Sequence, residues 1–154
     1  MMLAYRLVRL IETHSKELAS GFHQQLQSCD RCQAFGVIPA EEITQRVSEV
    51  YHSLGKWLLG KSERDIEREY CEIGRRRARQ GIPLSQVIWA IALSKSNLVE
   101  FLQSATSELE PVAIAGELEI VQLLGQFFDR AAYYAAKGYE QAWAEPAALT
   151  TAAR

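Results

Sequence analysis

PVAIAGELEIVQLLGQFFDRAAYYAAKGYEQAWA, residues 111–144, is the stretch whose reading decides the fold. Ile114, Leu118, Val121, Leu124, Phe128, Ala131, Ala135 and Gly138 recur every three or four positions, with Ala142 beyond. That spacing stacks side chains on one face of an α-helix. Pro111 suits the first turn, where its missing N–H has no intrahelical partner to lose. Gly125, Ala132 and Ala136 add small residues, which let a second helix approach closely. No segment of the chain alternates with the period of two that a half-buried strand requires. The prediction is an all-α fold.

Working outward, residues 84–107 form the most apolar helix early on, with Leu84, Val87, Ile88, Ile91, Leu98, Phe101 and Leu102 as its core stripe. Before it, residues 62–80 are mostly charged around a narrow stripe of Ile66, Tyr70, Ile73 and then Arg77. Ser62 is a suitable N-cap there, Glu63 and Asp65 suit the first turn, and Arg75, Arg76, Arg77 and Arg79 complement the dipole at the other end. Gly81 closes that helix and Pro83 forbids its continuation. Pro39, Glu41 and Glu42 open another helix, which buries Ile43, Val47, Val50, Leu54, Trp57 and Leu58 and ends near Gly60. The first helix carries Leu3, Leu7, Ile11, His14, Leu18, Phe22 and Leu26, and a loop at 28–38 follows it. The sum is a helical bundle of about five helices over residues 1–145, with 146–154 as a flexible tail or linker.

Composition limits the function classes. At 154 residues, 48% hydrophobic and 23% charged, the chain suits one globular core rather than a disordered tail. A net charge of −2 lacks the basic surplus of a dedicated nucleic-acid binder. The uncharged run 80–94 is too short and too polar to span a membrane, and no signal peptide precedes the first helix. Three cysteines do not make a disulfide framework, so the cytoplasm is the expected compartment.

Several residues invite chemistry. Cys29 and Cys32 have the spacing of half a zinc site or of a redox pair, but nothing else at metal-ligand spacing completes it, and an incidental pair is the favoured reading. His14, on the buried stripe, has the placement of a haem or metal ligand; a hydrogen bond to a neighbouring helix accounts for it more simply. Arg77 falls on an apolar stripe, where an unpaired guanidinium costs several kcal/mol, so a carboxylate should face it. Glu100 and Asp129, each in an apolar region, are the candidates. Trp89 and the cluster Tyr133, Tyr134, Tyr139 and Trp143 suit a pocket or a dimer interface, although aromatics at helical spacing are more often plain core. No nucleophile with its base and no phosphate-binding glycine loop can be assembled, so a non-catalytic protein without a cofactor is expected.

Two stretches are more specific than their periodicity. Residues 73–87, IGRRRARQGIPLSQV, and 127–139, FFDRAAYYAAKGY, together resemble the N-terminal domain family of the RsbT co-antagonist RsbRD. The resemblance implies an all-helical, dimeric bacterial input domain, with a globin-like bundle as a variant, that relays a signal by helix repacking to an output domain or partner protein. It carries over Arg77, Gly81, Asp129, Gly138 and Tyr139 as positions matching the family pattern. The Cys29–Cys32 loop departs from that pattern. Two alternatives stand beside this expectation: a haem- or metal-binding globin-like sensor, and a small enzyme built on Arg77 and a carboxylate.

Overall fold

The computed structural model describes residues 2–60, 63–106 and 111–144, with side chains for all of these except 2–4, 59, 106 and 111–117. The expected Ser62 cap, the helix end at Ser107, the side chains of Leu3 and Ile114, and the tail from Pro146 lie outside the described residues. In chain order the helices are α1 (Met2–Thr13), α2 (Ser15–Gln27), a 3-10 segment (Asp30–Val37), α3 (Ala40–His52), α4 (Leu54–Gly60), α5 (Glu63–Arg79), α6 (Leu84–Thr106) and α7 (Pro111–Trp143). Among the described residues there is no strand.

Five periodic segments thus become seven α-helices, because two of them break. At His14 the imidazole Nδ1–H donates to the Leu10 carbonyl at 2.9 Å, the same carbonyl that accepts the His14 backbone N–H at 3.1 Å. A side chain competing for its own i−4 carbonyl bends a helix. The imidazole therefore satisfies itself on its own helix, not on a neighbour. At Ser53 (φ −96°, ψ 5°) the chain turns once more between α3 and α4. The expected loop at 28–38 is ordered as the 3-10 segment, held to α6 by the Ala34 N–H donating to Gln86 Oε1 at 2.9 Å.

One core joins the helices, with Ile11, Tyr51, Leu54, Leu98, Leu102, Ile120 and Leu124 fully enclosed. Two buried polar side chains bridge helices: Tyr51 donates to the Ser94 carbonyl at 2.9 Å, and Asn97 Nδ2 donates to the Leu18 carbonyl at 2.9 Å. Those bonds tie α2, α3 and α6 together at fixed register. Aromatic contacts seat α4 and α5 on α7, with Trp57 stacked on Phe127 at 5.4 Å and Tyr70 edge-on to the same ring at 5.8 Å.

The most extensive helix pair is α5 with α7. They run in the same direction: Glu63 at the start of α5 pairs with Arg130 at 2.9 Å, and Arg75 near its end donates to Gln141 at 2.7 Å. Between these ties the backbones touch. A Cβ on Gly74 would overlap the Ala135 carbonyl oxygen, and one on Gly138 would overlap the Cys71 carbonyl oxygen. The helix expected to bury a narrow stripe therefore buries two faces, Tyr70 and Arg77 on one and Cys71 and Gly74 on the other. On α7 the inward residues are Ile120, Leu124, Phe127, Phe128, Ala131 and Ala135. Leu118, expected in the stripe, is 62% exposed instead. Two steps of three residues separate Leu118 from Leu124, which sets them about 120° apart round an α-helix, so the stripe counted back from Leu124 reaches solvent by that point.

The glycine contact is directly testable by urea denaturation. Gly74→Ala and Gly138→Ala should each cost about 1–3 kcal/mol or more, the range for forced overpacking. Gly125→Ala, with no neighbour within 4 Å of the added methyl, should be neutral or stabilise by up to about 1 kcal/mol. A Gly138→Ala protein as stable as the parent would mean that α7 does not seat on α5 as described.

Candidate ligand cavity

The C-terminus of α5 is shaped by a Schellman motif. Gly81 has φ +75°, the left-handed conformation that disfavours a side chain. Around it, the Gly81 N–H donates to the Ala78 carbonyl at 3.0 Å and the Ile82 N–H to the Arg77 carbonyl at 3.0 Å. The Ile82 carbonyl then accepts the buried Tyr139 hydroxyl at 2.6 Å. Four positions singled out in the sequence, Arg77, Gly81, Gly138 and Tyr139, therefore converge on one corner, where the α5–α6 turn is clamped to α7.

This corner fixes where Arg77 points. Its side chain is 7% exposed, and Nη1 lies 2.8 Å from Gln80 Oε1 and 3.4 Å from Glu42 Oε1. The Phe35 ring lies 5.7 Å from the guanidinium carbon on another side. Burial pulls the Arg77 pKa below its ordinary value, and the Glu42 carboxylate opposes that shift. The carboxylate required by the buried guanidinium is therefore Glu42, in the first turn of α3, and neither Glu100 nor Asp129 supplies it. Both of those are solvent-exposed. Sequence reasoning assigned Glu42 to the helix dipole alone; its position beside Ile43, at the edge of an apolar stripe, was the available signal.

Beside Arg77 lies a half-open cavity of about 80 Å³, walled by α2, the 3-10 segment, α3, α5 and α6. Phe22, Leu26, Val50, Val87 and Ile91 make it mostly apolar. Its polar lining is Arg46, Arg77, Tyr51, Tyr70 and Ser94. Burial raises both tyrosine pKa values well above the ordinary phenol. The Ser94 hydroxyl donates to the Ile91 carbonyl at 2.9 Å. Arg46 is the exception: among the described residues its buried Nε–H has no hydrogen-bond partner. Arg46 and Ser94 were not singled out from the sequence; both sit one helical step beside apolar positions and read there as solvated polar residues.

The remaining candidates lie elsewhere. His14 is half-buried, with its ring 5.6 Å from Phe101. Trp89 is 37% exposed, with the Arg31 guanidinium 4.3 Å above its ring. Tyr134 is half-buried against Tyr133, while Tyr133 and Trp143 are exposed. Cys29 and Cys32 open the 3-10 segment, and among the described residues no group of three His, Cys, Asp or Glu side chains is placed to hold a metal ion. Cys32 is buried, and burial pushes its thiol up to about 12.

The family described as the RsbT co-antagonist protein RsbRD N-terminal domain matches residues 16–154. The chain belongs to this family. No curated protein and no solved structure matches it. Membership places this RsbRD N-terminal domain among stress-signalling regulatory input domains. Among its described residues no helix is long and apolar enough to cross a membrane.

The three thiols of the domain should react unequally. Cys29 is half-exposed, whereas Cys32 and Cys71 are buried and held as thiols by that burial. Iodoacetamide at pH 8 followed by peptide mass spectrometry should label Cys29 at least tenfold faster than the other two in the native protein. Equal labelling would show that the 3-10 segment opens freely.

Proposed function

We propose that this domain is a non-catalytic, cytoplasmic input module in which the state of the cavity sets the seat of α5 and α7 carries the change to an output domain or partner protein. The observation that carries this reading is the double face of α5. Tyr70, Ile73 and Arg77 line the cavity, while Cys71 and Gly74, one step round the same helix, meet the backbone of α7. Backbones in van der Waals contact leave no soft side chain to absorb a shift, so a displacement of α5 moves α7 as well.

A non-catalytic role is supported by the chemistry of the lining. Its titratable groups are two arginines and two tyrosines, and both tyrosines keep their protons at neutral pH because burial raises their pKa values. None is poised to exchange a proton there, which general acid–base catalysis requires.

Filling the cavity tests the coupling without any ligand. Ala90 is 7% exposed and lines the cavity from α6. Hydrogen–deuterium exchange of Ala90→Leu should show protection changed by tenfold or more in 127–143 of α7, beyond the altered helix itself. A change confined to α6 and its immediate contacts would sink the relay.

The same reading includes pairing of two copies along the outer face of α7, where Leu118, Tyr133 and Trp143 are exposed. Sedimentation velocity at micromolar concentrations should give a dimer for the parent and mostly monomer for Tyr133→Glu. A parent that stays monomeric to about 100 µM, well above the micromolar affinities of ordinary specific complexes, would remove the pairing.

A further inference from the structure

Arg46 stands outside the ion-pair network that joins its neighbours. Glu42 serves both Arg77 at 3.4 Å and Arg76 at 4.0 Å, and Glu72 serves Arg76 at 3.9 Å and Arg75 at 3.8 Å. Among the described residues Arg46 has no carboxylate within ion-pair distance, and its buried Nε–H has no acceptor. A buried donor without a partner carries an unrecovered desolvation cost, so a group that supplies the acceptor gains on binding. The same guanidinium opposes the charge on Arg77, which places two positive groups side by side on the cavity wall.

Deeper in the cavity no other fully enclosed side-chain nitrogen or oxygen among the described residues lacks a partner. Tyr51 and Ser94 already spend their hydroxyl protons on backbone carbonyls. The surrounding walls are Phe22, Leu26, Val87 and Ile91. The site therefore has an anion-seeking edge and an apolar floor.

We propose that the cavity binds a small amphiphilic monocarboxylate, its carboxylate on Arg46 Nε beside Arg77 and its hydrocarbon body on the apolar floor. A guanidinium edge matches the planar pair of carboxylate oxygens, and a single unpartnered Nε–H calls for one acceptor group. A space of about 80 Å³ is roughly half of one that admits benzene, so about three carbons fit within it and a longer chain extends past its half-open edge. This inference names the ligand for the input reading above and rests on it.

Isothermal titration calorimetry of the full chain with butanoate, hexanoate and octanoate, beside hexanol and hexylamine, tests it. The expected result is saturable one-to-one binding of hexanoate, with hexanol and hexylamine at least tenfold weaker. Arg46→Met keeps the aliphatic bulk and should weaken hexanoate tenfold or more, the loss of one charge-assisted hydrogen bond. Ala90→Leu keeps Arg46 and should abolish binding by filling the floor, so the proposal stays testable if Arg46→Met fails to fold. Hexanol or hexylamine binding as tightly as hexanoate, unchanged affinity in either variant, or no saturable binding of any carboxylate would overturn it. Such a failure leaves the cavity-filling exchange experiment untouched, because that experiment contains no ligand.

Discussion

The backbone contact of Gly74 with Ala135 and of Gly138 with Cys71 is the constraint on which the rest of the structure depends. Two helices whose carbonyls lie where a Cβ would be must be bare at both positions, and each must present small residues around them. Ala131, Ala135 and Ala142 on α7 do that, all with 5% exposure or less. Because α5 comes so close, its other face is turned towards α3 and α6, and a helix of low overall hydrophobicity becomes a wall of the core. Arg77 is buried as a consequence, since it shares that face with Tyr70. Glu42, Gln80 and the Phe35 ring then gather around it.

The turn after α5 is subject to the same constraint. Once α5 lies on α7, the chain must leave it sharply to send α6 back, and Gly81 supplies the left-handed residue that allows this. Tyr139, one position beyond Gly138, caps the turn from α7 through the Ile82 carbonyl. Adjacent residues of one helix thus set the approach and lock the exit of another. This explains physically why two short stretches separated by some forty residues carry the family resemblance together: they are the two halves of one joint.

The all-α class and the span of α7 were legible because period and punctuation agreed: apolar residues every three or four positions, with Pro111, Pro39, Gly81 and Pro83 at the ends. What sequence could not resolve was pairing. Leu118 and Leu124 look equivalent in a list of leucines, yet they stand on different sides of α7, and the position of the neighbouring helices decides which side is enclosed. Glu100 and Asp129 stood in apolar surroundings along the chain, but their surroundings in space are solvent. Glu42 looked like a dipole partner and is that as well; its approach to Arg77, thirty-five positions away, follows from how α3 crosses α5. His14 was assigned the right kind of interaction with the wrong partner, because a side chain reaching back to its own i−4 carbonyl leaves no trace in an apolar pattern.

A close-packed joint and a part-empty cavity on neighbouring faces of one helix have different mechanical properties, and the combination matters for signalling. Packed backbones transmit displacement, whereas a cavity of about 80 Å³ offers room for displacement at modest cost, since its lining already lacks some of its contacts. A helix between the two is free to yield on one side only. Any ligand entering there shifts the equilibrium by no more than the difference in its affinity for the two seats of α5. The unpartnered Arg46 Nε–H supplies a source for that difference: the position of α3 relative to α5 determines whether one acceptor can serve both guanidiniums. Hydrocarbon contacts alone are non-directional and change little with small movements, so they would fill the space without choosing between the seats. A charge-assisted hydrogen bond is steeply dependent on distance and angle, and it is the element of this cavity able to convert occupancy into a preferred position of the helix.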